Sequence, residues 1–360
     1  MFTEKDVQKH TACHRRFLGI LPTKYQSEES NRLAIIYFSL CALKLLNTLD
    51  IVYSQQELDN IKDYIYSLMI KTPDYCGFKG SHIFQNTEYD LNLASTCFAL
   101  QCLLILNDDL KRVDRKGVIN FLKDCQIDGG FRASPNYGES DLRYCMIGMT
   151  IRKILKWDSH KDNVACNVDV DLKSLKEYIW NTQCYDGGLS QSSGVESHSG
   201  LTFCGVSALK MGKLLESNDN LLDFLVSRQI NFTKYNEREY NGNEYADMDD
   251  NGGFNGRLNK YGDTCYVFWC VGSLKLFDKD SLIDKEAAIN FLTKKTYNEI
   301  LGGFNKTTDP TDMPDPLHSF LGLAALSILM EQNPLLDKIN CEFVIPMTSY
   351  MHWESLKFES

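Results

Sequence analysis

Two kinds of apolar stretch alternate along the chain. The first is amphipathic, with apolar residues three and four apart and charges between them: "DYIYSLMI", "VINFLKDCQ", "LKEYIWNTQ", "LLDFLVSRQ" and "AAINFLTKK". That spacing predicts helices with one buried face. The second is apolar nearly throughout and mixed with small residues: "LASTCFALQCLLIL", "LRYCMIGMTIRKIL", "GLTFCGVSALKMGKLL", "DTCYVFWCVGSLKLF" and "HSFLGLAALSILM". Such segments predict helices packed on all sides, where Gly, Ala, Ser and Cys let neighbours approach closely. Glycine punctuation separates the first kind from the second: "YCGFKG" (Gly77), "QIDGGF" (Gly130), "QCYDGGL" (Gly188), "DDNGGFNGR" (Gly253) and "EILGGFNK" (Gly303). These glycines stand 53, 58, 65 and 50 residues apart. One earlier helix of the second kind, "RLAIIYFSLCALKLL", has no clear amphipathic partner before it.

Each unit reads as a helical hairpin broken by glycines that permit tight turns. A hairpin cannot bury both apolar faces alone, so the units must stack. The expected fold is all-α: an α/α toroid of about six helical hairpins, the small-residue helices inside and the amphipathic ones outside. It forms one domain over residues 1–360, with the repeats spanning about 31–330. An open solenoid would share the hairpins without the closure. In a ring, the glycine loops and inner-helix N-termini gather at one end of a central cavity. Unpaired backbone N–H groups and positive dipole ends there favour anions.

A net charge of −10 argues against general affinity for nucleic acid. No apolar run is long enough to span a membrane, so no stable membrane insertion is expected. The charged first twenty residues lack a secretory apolar region. With an odd 13 cysteines, many inside helical patterns, reduced thiols and a cytoplasmic location are expected. There is no CxxC pair, and the final "KFES" is no lipidation signal.

Against this acidic background, "GGFNGRLNKYGDTCYVFW" crowds two cations, a carboxylate, a thiol and a phenol at one helix start. Asp263 and Cys265 point apart within a continuous helix, but converge if Asp263 caps the helix and Cys265 opens its first turn. His318, expected at the same repeat position of a neighbouring inner-helix start, supplies a third ligand. Asp, Cys and His make a zinc set with one open tetrahedral position, the catalytic pattern. One carboxylate and one thiolate neutralise Zn²⁺, so an incoming substrate thiol can lose its proton and stay nucleophilic. The competing reading is a chance Asp-x-Cys pair in a cysteine-rich chain. Arg257 and Lys260, with His198 of "VESHSGLTFCG" and Tyr266, could grip a diphosphate, and Lys306 could add a charge. The competing reading is a solvated basic loop. The "DMDD" run starts like an EF-hand, but Leu258 stands where a bidentate Glu is needed. It also fits the D-x-D-D acid motif of class II terpene cyclases, which would act through Asp249. An acidic surface loop is the simpler expectation.

These residues together resemble the β subunits of the CaaX protein prenyltransferases. The long motif "GGFNGRLNKYGDTCYVFW" is similar to theirs, as are "ESHSGLTFCG" (with Ser199 for a glycine), "DLRYCMIG" and "DPLHSFLGL". The resemblance implies zinc on Asp263, Cys265 and His318, and isoprenoid diphosphate on His198, Arg257, Lys260 and Tyr266. It places Arg143 near the substrates and Trp269 along the lipid channel. It also implies an α subunit as heterodimer partner and CaaX-ending small GTPases of the Rho, Rac and Cdc42 type as substrates. Within the family, Ala34 falls where farnesyltransferases carry a bulky Trp, leaving depth for geranylgeranyl diphosphate. Lys306 falls where they carry an Asp thought to help hold Mg²⁺, so Mg²⁺ is not expected to be required. The type I geranylgeranyl enzyme is therefore expected ahead of a farnesyltransferase β subunit.

Overall fold

The computed structural model describes residues 2–159, 168–231 and 247–358. Among the described residues the main helices are α1 (Glu4–Leu18), α2 (Arg32–Leu45), α3 (Gln55–Ser67), α4 (Leu93–Ile105), α5 (Arg115–Asp124) and α6 (Leu142–Ile154). They continue with α7 (Leu172–Trp180), α8 (Ser199–Met211), α9 (Asp219–Val226), α10 (Thr264–Leu276), α11 (Lys285–Asn290), α12 (Pro316–Leu329) and α13 (Met347–Ser355). A π-helical turn, Phe291–Thr296, extends α11. The even-numbered helices up to α12 are the small-residue ones, buried on nearly every side. They pack in chain order, and α12 packs back onto α2. The ring is therefore closed rather than an open solenoid.

The punctuation becomes one device used repeatedly. After an outer helix the chain makes a minimal antiparallel bridge across the glycine turn: Gln126 with Phe131, Gln183 with Leu189, Gln229 with Phe254, Tyr297 with Phe304. Each glutamine then stitches its turn to the next outer helix. Gln126 bonds both backbone groups of Asp171, the cap of α7, and Gln229 does the same to Asp284, the cap of α11. Gln183 accepts from Asn218, the cap of α9. In each turn a left-handed glycine, Gly129, Gly187, Gly252 or Gly302, lies flat against the backbone of the following outer helix.

For Gly302 that following helix is α1, whose Lys9 carbonyl lies against it. Arg16 Nη2 also donates to the Leu301 carbonyl at 2.6 Å, and Lys9 Nζ to that of Glu299. The partner missing before α2 is thus α1, the first helix docking on the last repeat. Its buried face is made of His10, Thr11, Cys13, His14 and Phe17.

Both histidines are fully buried, and none of their four ring nitrogens has a hydrogen-bond partner. His10 stacks on Tyr297 at 5.0 Å and leans on Phe304 at 4.9 Å. Burial pushes both imidazoles down to about 3, opposed at His10 by Asp6. The folded state therefore binds fewer protons than the unfolded chain. Stability is complete above the ordinary imidazole value of 6.5 and falls as the pH drops from there towards about 3. Each histidine removes about 1.4 kcal/mol per unit, so the pair removes about 4 kcal/mol by pH 5. The thermal midpoint should drop markedly between pH 7 and pH 5, and His10→Phe should shallow that slope. An unchanged midpoint at pH 5 would refute the assignment.

The far end of the ring is sealed by the C-terminal segment. The hairpin of β1 (Ile339–Asn340) and β2 (Ile345–Pro346) crosses beneath the inner helices. Ser207 donates to the Glu342 carbonyl at 3.2 Å, Gln101 to Phe343 at 2.6 Å and Tyr37 to Val344 at 2.7 Å. Helix α13 holds this floor from outside, with Trp353 packed 4.7 Å from Phe343 and donating to the Ile154 carbonyl at 2.8 Å. No helix among the described residues is long and apolar enough to cross a membrane. The described cysteines are all unpaired, and all but Cys184 are buried.

Candidate active site

Inner-helix caps line the open rim. Asn92, Asp141, His198, Asp263 and Asp315 occupy the same position in successive repeats. Each uses a side-chain atom to accept a backbone N–H of its own first turn, at 2.8–3.0 Å. A helix start leaves such donors unpaired, so polar caps are locally required, and here the requirement places charges at the cavity mouth.

Asp263 caps α10 while Cys265 sits in its first turn, so the two side chains converge. His318 lies one turn into α12, three residues after the repeat equivalent of Asp263, which is Asp315. The ligand atoms of Asp263, Cys265 and His318 all lie within 4.8 Å of one another. His318 Nε2 stands 3.4 Å from Asp263 Oδ1, and its Nδ1 bonds Asp315 Oδ2 at 2.6 Å. Burial pulls His318 down, but the bonds to Asp263 and Asp315 outweigh it and push the imidazole up to about 9. Burial, and then Asp263, push the Cys265 thiol well up. Oxygen, sulfur and nitrogen donors thus crowd a nearly dry pocket that draws in positive charge. A proton on His318 takes the place that a metal cation fits, so this donor set could hold a metal ion, with Asp315 orienting the imidazole.

The cationic rim adjoins these three. His198 Nδ1 accepts the N–H groups of Gly200 and Leu201, so the neutral ring carries its proton on Nε2 and donates to Tyr266 Oη at 3.1 Å. Burial, with the charges of Arg257 and Arg143, holds His198 down at about 4. Tyr266, pushed up to about 12 by burial and by Cys265 and Asp263, keeps its own proton to donate. It passes directly under Gly256, where any Cβ would strike the ring. Ser199, unlike the glycine of the family pattern, ties α8 to that loop by donating to the Asn255 carbonyl at 3.1 Å.

Arg257 is exposed and held loosely by Glu196 at 3.5 Å, and Lys260 is exposed on the same loop. Arg143 leans on the buried Asp141 at 2.6 Å with most of its side chain open. Lys306 is exposed beside the ligands: its carbonyl accepts the Thr264 N–H at 2.9 Å, and its charge reaches Cys265. Trp269, one turn below Cys265, is half-buried and packs 5.0 Å from Phe203. Ala34 lines a cavity of about 330 Å³ with Phe98, Tyr137 and Tyr144.

The expectation of an acidic surface loop holds for only part of "DMDD". Asp249 is exposed and pairs with Lys295 at 2.5 Å, whereas Asp250 is 3% exposed. Sequence reasoning passed over Asp141 and Asp315, although both precede inner helices as caps and Asp315 is followed by Pro at the first helical position.

The chain matches the family described as "Prenyltransferase alpha-alpha toroid domain" over residues 6–345. It is 33% identical to the geranylgeranyl transferase type-1 subunit beta of Arabidopsis thaliana, covering 91% of this chain and 86% of that protein. It is also 33% identical to the protein of the same name from Dictyostelium discoideum, over 89% of this chain and 90% of that one. A solved structure, Candida albicans protein geranylgeranyltransferase-I complexed with GGPP, superposes with a TM-score of 0.88 at 37% identity, covering 98% of this chain and 99% of that chain. With a closed helical ring, a ligand trio at its mouth and likeness along nearly its whole length, the chain belongs to the prenyltransferase α/α-toroid family, among the type-1 geranylgeranyl transferase β subunits.

Proposed function

We infer that the chain is the catalytic β subunit of a zinc-dependent protein geranylgeranyltransferase type I, working with a prenyltransferase α subunit. The reaction joins geranylgeranyl from its diphosphate to the Cys of a C-terminal CaaX sequence, with X read as Leu, as on Rho-type small GTPases. The convergence of Asp263, Cys265 and His318 beside a cationic rim carries this reading. Zinc held by these three would supply the field that draws the proton from an incoming thiol and leaves its sulfur nucleophilic.

The chain's own residues account for the rest. Aromatic walls around Ala34, Phe98, Tyr144 and Trp269 receive the isoprenoid tail and exclude water. The sulfur displaces diphosphate at C1, so a C–S bond forms as the C–O bond breaks. Charge then grows on the departing oxygen. Arg257 and Lys260 meet it as cations, His198 and Tyr266 as preset donors, and Arg143 and Lys306 extend the positive field. Fixed ammonium charge at Lys306 stands in for a divalent ion at the diphosphate.

The test is the purified heterodimer, assayed for metal and incubated with labelled isoprenoid diphosphates and a Cys-a-a-Leu peptide. Bound zinc and preferential geranylgeranyl transfer are expected. A preference for farnesyl would favour the farnesyltransferase reading, and absence of transfer would remove both. Cavity depth has its own test. Ala34→Trp puts an indole into the space beside Phe98 and should shift the ratio of kcat/KM towards farnesyl diphosphate by at least about tenfold. An unchanged ratio would refute the steric argument.

A further inference from the structure

The acidic run at 247–250 lies against this machinery. Asp247 caps the short turn Met248–Asp250 by accepting the Asp249 N–H at 2.9 Å, and Asp249 ties that turn to the π-helical segment through Lys295. Asp250 turns inward. Its Oδ2 accepts the Gly262 N–H at 2.8 Å, and its Oδ1 accepts the Thr308 hydroxyl at 3.4 Å. Its carbonyl accepts the Gly253 N–H at 2.9 Å.

The partners are telling by their neighbours. Gly262 immediately precedes Asp263, and Thr308 comes two residues after Lys306. Between Asp250 and Gly262 runs the loop whose exposed stretch, 257–261, carries Arg257 and Lys260. One buried carboxylate thus joins both ends of the cationic loop and ties them to the loop of the third cation. Arg257 has only a loose, exposed partner of its own in Glu196, so its placement follows its backbone, which Ser199 holds at Asn255 and Gly256 on one side and Asp250 holds at Gly262 on the other. A carboxylate is removed from water at a cost that only such donors offset, which makes the clamp an expensive feature to keep for an ordinary surface turn.

We propose that Asp250 is a positioning residue whose buried carboxylate clamps the neck of the 251–261 loop and the Lys306 loop, setting Arg257, Lys260 and Lys306 around the diphosphate. It acts through those residues and touches no substrate. The proposal rests on the reading of these three cations as diphosphate ligands.

The test compares wild type, Asp250→Ala and Asp250→Asn in the assembled heterodimer by amide hydrogen exchange and by affinity for geranylgeranyl diphosphate. In Asp250→Ala, exchange across 251–262 should rise at least tenfold and Kd should rise about tenfold, since small misplacements of binding groups are costly. Asp250→Asn keeps an oxygen for the Gly262 N–H and should restore Kd to within about threefold of wild type. A residue that only stabilised the fold would lower the melting temperature in both variants and leave Kd unmoved, and that result would overturn the proposal. Should the alanine variant fail to assemble, Thr308→Val removes one arm of the clamp from a half-buried site. A Kd raised about threefold would then support the proposal, and an unchanged Kd would overturn it. A wild-type complex that binds no isoprenoid diphosphate would remove the functional reading, while the exchange comparison would still test the clamp.

Discussion

Cys265→Ala should leave the heterodimer folded but nearly free of zinc, with transfer reduced at least about a hundredfold. Removing one of three protein ligands leaves a carboxylate and an imidazole already 3.4 Å apart. Without a thiolate, these two close on each other as an ion pair, because His318 is strongly basic in this setting. The vacated volume is small and the residue lies at the rim, so the thermal midpoint should move by only a few degrees. Metal content per heterodimer is the deciding measurement, and full retention of zinc would sink the ligand assignment. Asp315→Asn makes a graded companion. It keeps the cap at the start of α12 but weakens the carboxylate that orients His318 Nδ1, and outer partners of this kind are worth about 10- to 100-fold in metal affinity.

Gly302→Ala should be among the most damaging single-methyl changes outside the site. Gly302 has φ +69 and lies flat on the Lys9 carbonyl of α1. A methyl there would overlap backbone oxygen, which cannot rotate away as a side chain can. Either α1 lifts off or the last turn distorts, at about 3 kcal/mol or more. A fall in thermal midpoint of about 4 °C or more is expected, with proteolysis appearing first in α1. Gly187→Ala makes the same clash with Asn220 between two internal repeats. Equal losses in the two variants would show that the seam between the first and last units is built like any other. A negligible effect at Gly302 would mean that α1 is not a true outer helix of the ring.

The hairpins were legible because their inner helices are apolar throughout and their turns demand glycine. Asp263 and Cys265 were legible because a cap followed by a first-turn residue is the one local geometry that brings i and i+2 together. Helix α1 escaped notice for a physical reason. Its inward face mixes Cys13 and Phe17 with His10, Thr11 and His14, three residues polar by composition, so no apolar stripe marks it. Asp250 escaped for a different reason: its donors are Gly262 and Thr308, 12 and 58 residues away. The roles of Asp141 and Asp315 were hidden in the opposite way. Each looks like an ordinary cap and is one, and its second oxygen meets a side chain of its own first turn, Arg143 from Asp141 and His318 from Asp315.

The seam between α1 and the last repeat carries a consequence for synthesis. Arg16 meets Leu301 across 285 residues of sequence. At about 5–20 residues per second, the earliest helix leaves the ribosome roughly 15–60 s before its partner exists. Throughout that interval the nascent arc must hold its greasy inner wall open, so chaperone dependence should end abruptly on chain completion, and premature stop codons in the final repeat should yield no soluble partial product.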